Sequence, residues 1–441
     1  MKILFAVTPA ISHLSPILSV VRMVQSRGDE AVVATGTHLE TAVRRTGAGF
    51  LQLAPQADLD LSRVEEIFPE RLTLQPGLGQ IRQALERVFL DPMPAQAATL
   101  REAIASESPD LVLTDSSFMG RAALFLDAAR PPVPLVSCGF TILTLDRPDG
   151  APLGLGLPPA QDDRERARYA ALAAEFDASV GAPTRAHANA KLAAMGLPRL
   201  PCSVFSSMVL LADAYLHPTV PAFEYDYGPL PANVRFVGAL PPPPASSLPL
   251  PTWWGELDGD RRVVLVTQGT VANADFGELV EPTLAALVDR DDVLVVVTTG
   301  GRSVTDVRGP IPVNARLAEF LDYGALLPRV DVLVTNGGYG TVSLALRAGV
   351  PIIAAGRTEE KADVGARVAW SGAGVEIPLQ RPASGDLRAA LDRVLSDSVY
   401  RRRAEDIAAA MASVDTRGEI LDVLDRLVER SKVSRFGEKA V

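Results

Sequence analysis

The fold is decided by Pro328-Arg329-Val330-Asp331-Val332-Leu333-Val334-Thr335-Asn336-Gly337-Gly338-Tyr339-Gly340-Thr341. Residues 332–334 are a short apolar run between polar neighbours, which predicts a buried strand. Asn336-Gly337-Gly338 then makes a glycine-rich turn, and residues 341–348 continue with helical period. A strand that enters such a turn and leaves as a helix gathers close-approaching backbone and unpaired N–H groups at one point. Together with the positive end of the helix dipole, that point suits an anion such as a diphosphate. A tight turn that needs positive φ looks the same, so both readings stand for this stretch alone.

The pattern repeats on either side of that stretch. Downstream, residues 352–355 form a second strand, followed by an acidic loop, Arg357-Thr358-Glu359-Glu360-Lys361-Ala362-Asp363, and a helix ending before Gly372-Ala373-Gly374. Upstream, the strand 263–267 ends in Gln268-Gly269-Thr270. A helix over 276–288 and a strand over 293–298 follow, the latter closing on Thr299-Gly300-Gly301. The first half shows the same alternation. A strand at 3–7, a helix at 16–24 with Gly28 as its C-cap, and a strand at 31–34 make one βαβ unit. Strands at 111–113 and 133–136 flank a helix at 118–129. The alternation predicts an α/β protein with two Rossmann-like, doubly wound parallel sheets facing across a cleft.

The segments 55–108 and 162–195 read as mostly helical and are expected to cover one end of the first sheet. The run Pro241-Pro242-Pro243-Pro244-Ala245-Ser246-Ser247-Leu248-Pro249-Leu250-Pro251 fits neither a helix nor a sheet interior. It predicts an extended linker. The expected division is residues 1–238, a proline-rich linker 239–262, a second α/β domain 263–412, and a terminal helix with a frayed tail over 413–441.

A length of 441 residues fits two or three domains at roughly 100–200 residues each. A chain that is 47% hydrophobic can fill cores of that size. The net charge of −10 argues against general binding to nucleic acid or to anionic membranes. Cys138 and Cys202 are too few for a disulfide framework and are expected as reduced thiols. The first apolar run is too short for a signal peptide, and none reaches the ~18 residues that span a bilayer. The expected location is the cytoplasm, with no integral membrane segment. No metal-ligand cluster is visible.

The order of elements in the second half resembles the donor-binding signature of the nucleotide-sugar-dependent family-1 glycosyltransferases. The branch in question is the bacterial antibiotic and macrolide one, whose members have the GT-B fold. The resemblance covers nearly the whole chain; it is specific in the second half and loose in the acceptor region. It implies that residues 1–238 bind an acceptor and 263–412 a nucleotide sugar. Gly269, Thr270, Asn336, Gly337, Gly338, Gly340 and Thr341 would then hold the diphosphate, and Glu360 and Lys361 the sugar hydroxyls. His13, after the first strand, stands where the family places its catalytic histidine, and Asp115 ends the strand that carries its acidic partner. By position alone His13 is equally a turn or helix-start residue. Asp115, Ser116 and Ser117 compete as helix caps.

This sequence departs from the family pattern in three places. Asn336 stands where the family usually has histidine, and Glu360-Lys361 where it has an acidic residue followed by glutamine. The tryptophan-proline-glutamine element is absent, with Phe320-Leu321-Asp322-Tyr323 in that region. Arg302 and Arg357 are either ligand cations or solvated side chains. Trp253, Trp254 and Trp370 are read as packing residues, and Arg401-Arg402-Arg403 as a solvated helix face. The implied activity is inverting transfer of a hexose from a UDP- or dTDP-sugar co-substrate to a hydroxyl of a hydrophobic small molecule, a natural product or lipid. It implies no metal and no further cofactor, in a monomer or homodimer. Two other readings stand beside it. A binding protein or transferase partner of the same fold is favoured by the missing turn histidine. A nucleotide-sugar epimerase fits the motif order less well.

Overall fold

The structure, a computed structural model, describes residues 1–74, 77–242, 249–270 and 273–437. Its strands in chain order are β1 (Lys2–Ala6), β2 (Glu30–Thr35), β3 (Gly49–Gln52), β4 (Leu111–Asp115), β5 (Leu135–Cys138), β6 (Ala214–His217) and β7 (Val234–Phe236) in the first half. The second half holds β8 (Arg262–Thr267), β9 (Val293–Thr298), β10 (Ala315–Ala318), β11 (Val332–Thr335), β12 (Ile352–Ala355) and β13 (Gly374–Ile377). They form two sheets, ordered β3-β2-β1-β4-β5-β6-β7 and β10-β9-β8-β11-β12-β13. Every pairing is parallel. Helices cover both faces, so central strands such as Ile3-Leu4-Phe5-Ala6 are fully buried, which is why they read as unbroken apolar runs.

Both sheets reverse their winding order at one place, between β1 and β4 in the first and between β8 and β11 in the second. Chain leaving two such strands diverges to opposite faces and opens a crevice at their carboxyl ends. His13 follows β1 and Asp115 ends β4; Gly269 follows β8 and Asn336 follows β11. These four residues therefore stand at the switch points of the two sheets, whereas Glu360 and Lys361 follow the neighbouring strand β12.

The helix after β1 spans Ile11–Gln25, one turn earlier than the sequence predicts. Proline favours the first helical turn, which points to a start at Pro16. Here Pro16 lies inside the helix. The carbonyl it leaves without a helical donor belongs to Ser12, which is exposed and can be met by water. The earlier start moves His13 from a loop into the first helical turn.

Residues 243–248 of the predicted linker and 438–441 of the predicted tail lie outside the described residues. After Ala412 the chain crosses back to the first half. Its last helix, Thr416–Gly437, packs Ile420, Leu421, Leu424 and Val428 into the core that holds Leu14, Leu18 and Val21. Arg27 grips it by a 2.8 Å bond to Asp425. Each buried apolar side chain of this kind contributes about 1.5–3 kcal/mol. A shared apolar cluster joins the halves, with Ile142, Val220 and Phe223 of the first packed among Leu326, Tyr339, Val364 and Val368 of the second. Among the described residues, no helix is long and apolar enough to cross a membrane.

Candidate active site

On the first-half wall of the crevice, Asp115 is fully buried and His13 is 8% exposed. Thr8 N–H donates to Asp115 Oδ2 at 2.6 Å, and Ser117 donates to Oδ1 through its N–H at 3.0 Å and its hydroxyl at 2.6 Å. His13 Nδ1 lies 3.2 Å from the same Oδ1 and 3.2 Å from Ser117 Oγ. Burial raises the Asp115 carboxyl, but the bonds from His13, Ser117 and Thr8 outweigh it and hold the group below its ordinary value. An ionised carboxylate only accepts, so Nδ1 carries the proton and Nε2 keeps a free lone pair. The ring of Phe140 lies 3.9 Å from that of His13, and Phe89 lies beyond at 6.2 Å.

On the second-half wall, three turns are tied to one another. Asn336 Nδ2 donates to Gln268 O at 2.7 Å, fastening the turn after β11 to the turn after β8. Asn273 Nδ2 bridges Gly269 O and Thr299 O at 3.0 and 2.8 Å. Gly300 sits against Gly269, and a Cβ there would collide with the Gly269 carbonyl oxygen. Gly269, Gly300, Gly301 and Gly337 all have positive φ, which only glycine adopts without strain. Gly338 is the N-cap of the helix Tyr339–Arg347, and Gly340 and Thr341 lie in its first turn. Among the described residues, nothing lies within 4 Å of where a Gly340 Cβ would be. The first-turn N–H groups of this helix have no acceptor within the helix itself.

The 359–361 turn follows β12 and stands beside these glycines. A Gly337 Cβ would be 3.2 Å from Lys361 O, and a Gly356 Cβ 3.2 Å from Lys361 Cδ. Lys361 is 5% exposed and pairs with Glu359. Lys361 pulls Glu359 below its ordinary value against burial, whereas burial and the Glu359 charge push Glu360 up. Burial would lower Lys361, but the two glutamates reverse that. Glu359 is 37% exposed, and water screens its pairings. Its φ of 57° is positive, a strained conformation for a residue with a side chain and one that collects at functional sites. Arg71 Nη2 reaches Glu359 from the helical layer of the first half, at 3.5 Å.

The model of the C-terminal domain of erythromycin biosynthesis protein CIII-like proteins matches residues 281–427. The 4'-demethylrebeccamycin synthase of Lentzea aerocolonigenes is 38% identical over 97% of this chain and 99% of its own. UDP-glycosyltransferase 2 of Phaeomoniella chlamydospora is 33% identical over 96% and 95%. Identity at that level over nearly the whole of each aligned chain decides the family. The chain belongs to the antibiotic-type glycosyltransferases. The solved structure of the kitacinnamycin glycotransferase superposes with a TM-score of 0.73 over 97% of this chain and 99% of that one, at 20% identity, and shares the GT-B fold.

This glycosyltransferase gathers His13 and Asp115 on one wall, and the glycine turns with Glu360 and Lys361 on the other. Thr270 is exposed. Arg357 bonds Glu376 and the Leu155 carbonyl, so it ties the halves together. Arg302 reaches Asn273 at 3.4 Å. Sequence reasoning missed Thr8, which orients Asp115, and read Ser117 only as a competing cap. Hydroxyls beside a turn read as caps when no partner is known. It also missed Phe140, Arg71 and the bond that Lys361 donates to Glu359. Arg401 corrects the reading of a solvated face, because it donates to Gly349 O, Val330 O and Asp331 O.

Proposed function

We propose that this glycosyltransferase moves a hexose from a UDP- or dTDP-sugar to a hydroxyl of a hydrophobic natural product or lipid, with inversion at the anomeric carbon. The observation that carries the reading is the chain from Thr8 and Ser117 through Asp115 to His13 Nδ1. It leaves Nε2 as a base at the crevice. His13 takes the acceptor's proton as its oxygen bonds to the anomeric carbon, and the nucleoside diphosphate leaves from the opposite face. Asp115 stabilises the imidazolium that forms. The glycine turns and the start of helix Tyr339–Arg347 stabilise the charge growing on the leaving diphosphate.

Glu360 accepts hydrogen bonds from sugar hydroxyls and Lys361 donates one. Phe320, 54% exposed and packed on Gly301, offers the base a flat apolar face. Phe89 and Phe140 give the acceptor an apolar wall. The name of the fungal relative, a UDP-glycosyltransferase, supports a uridine nucleotide. The name of the Lentzea relative, 4'-demethylrebeccamycin synthase, supports a natural-product acceptor.

The test pairs UDP-glucose, UDP-N-acetylglucosamine and dTDP-glucose with a panel of hydrophobic phenols and alcohols, following product and released nucleotide by mass spectrometry. Wild type is expected to form a product of inverted configuration, and His13→Ala to turn over at least ~100-fold more slowly. Equal rates in both proteins would remove His13 from the role.

A further inference from the structure

The helix that begins at the 359–361 turn is fastened to the other half of the molecule by charges that the chemistry above does not use. Arg367, on helix Lys361–Ser371, is 1% exposed. Its Nε donates to Glu224 Oε2 at 2.8 Å and its Nη2 to the Tyr227 hydroxyl at 3.1 Å. Its guanidinium lies 4.2 Å from the centre of the Tyr225 ring. Glu224 is 2% exposed, and its other oxygen accepts from Leu143 N–H at 3.0 Å and pairs with His217 Nε2 at 3.2 Å. One turn nearer the crevice, Asp363 accepts from Gly154 N–H at 2.5 Å and Gly156 N–H at 2.9 Å. A Cβ on Gly156, whose φ is 66°, would stand 2.7 Å from Ala362 O, so backbone meets backbone there.

A buried ion pair is poor evidence for stability, because desolvating both charges offsets their attraction. Apolar side chains would hold the halves together as well. Forked, charged hydrogen bonds add a fixed direction. At about 1.5 Å of helix per residue, Asp363 and Arg367 lie only ~3 and ~9 Å along the axis from Lys361. Displacement at these anchors therefore reaches the sugar turn almost undiminished.

We infer that Glu224, Arg367 and Asp363 are positioning residues of the transfer step, which set the 359–361 turn of the second half against His13 of the first. This rests on the roles given above to His13, Glu360 and Lys361. The glycine turns after β8, β9 and β11 belong to the second half alone. Loosening the clasp therefore lowers kcat and leaves nucleotide affinity in place.

The test uses the full chain with a donor and acceptor that the wild type accepts. Three variants are compared: Asp363→Asn, Gly156→Ala, and the double change Glu224→Gln with Arg367→Met, which leaves no lone charge buried. Steady-state kinetics, calorimetric binding of the nucleoside diphosphate and thermal melting are measured on each. The expected result is a kcat ~10–100-fold lower, as for a misplacement of about 1 Å. The dissociation constant for nucleoside diphosphate should stay within about twofold, the range of uncoupled sites.

An unchanged kcat in folded Asp363→Asn and Gly156→Ala overturns the proposal. So does a kcat that falls only in step with nucleotide affinity, or one that recovers when assayed well below the melting temperature. If the double variant does not fold, the two single variants decide, since both keep the ion pair. His13→Ala is assayed alongside. Full activity in that variant removes the catalytic reading and this proposal together, whereas an inactive His13→Ala beside fully active clasp variants removes this proposal alone.

Discussion

Asp115 is oriented before it meets His13. Thr8 N–H holds one oxygen and Ser117 the other, so the ends of β1 and β4 set the direction in which the carboxylate points. Asp115→Asn keeps the shape but replaces an acceptor by an amide, whose N–H₂ facing His13 favours the tautomer with its proton on Nε2. At either oxygen position the N–H₂ also faces a buried backbone N–H, of Thr8 or Ser117, so the variant is expected to melt below the wild type, bind nucleoside diphosphate as before and lose ~10²–10⁴ in kcat. Single-turnover kinetics would read the step directly, and a loss below about tenfold would leave Asp115 with a structural role only. Asp115 closes a short apolar run and His13 follows another within six residues, which placed both near strand ends, but only the resemblance to the family gave them their roles. The hydroxyls that hold Asp115 were not legible, since Ser117 beside a helix start satisfies a cap equally well. Glu359 was missed because its left-handed backbone leaves no trace in the periodicity.

The elements around the diphosphate turns separate two uses of glycine. At Gly300 the neighbouring carbonyl of Gly269 excludes any side chain, so the residue is required by the protein itself. At Gly340 no described residue would touch an added side-chain carbon, and the position is helical. Gly340→Ala is therefore expected to stabilise the fold by about 0.5–1 kcal/mol through helix propensity. If the diphosphate binds at the helix start, the added methyl also weakens nucleotide affinity. Thermal melting and calorimetry on Gly340→Ala and Gly300→Ala distinguish the cases: Gly300→Ala should lose both stability and affinity. Unchanged affinity in Gly340→Ala would move the diphosphate away from this helix. The strands that the sequence did not reveal include three sheet edges, β3, β7 and β10. Most of their residues are exposed or only partly buried, so no continuous apolar run marks them. β6 was missed for another reason, since Ala214-Tyr215-Leu216-His217 is buried but chemically mixed. The helix Ser398–Ala412 was read only by its solvated arginine face, although Tyr400, Ala404, Ile407 and Met411 repeat at helical spacing as a buried stripe. Its three consecutive arginines obscured the stripe.

At the scale of the whole molecule, the junction between the halves is charged and was invisible in the sequence. Glu224 and Arg367 are 143 residues apart, and nothing local links them. Burial would raise the Glu224 carboxyl, but Arg367, His217 and the Leu143 N–H bring it down to about 2 from an ordinary value of 4.5. A carboxyl depressed on folding stabilises fully above its unfolded value and loses that contribution as pH falls toward its folded one. The window is therefore pH 4.5 to about 2, and the amount is on the order of 3 kcal/mol. Melting temperatures taken from pH 7 down to 3 should fall more steeply below 4.5 for wild type than for the variant with Glu224→Gln and Arg367→Met; parallel curves would show that Glu224 carries no such linkage. The return of the terminal helix to the first sheet has a separate consequence, for recombination between relatives. The first and last residues of the described fold belong to the same body, and the second sheet is an insertion carried within it. A chimera that exchanges everything after the proline-rich run tears Ile420, Leu421, Leu424 and Val428 from the partners they pack against. The exchangeable cassette is internal, with its second seam between Ala412 and Thr416, ahead of the helix that closes the host.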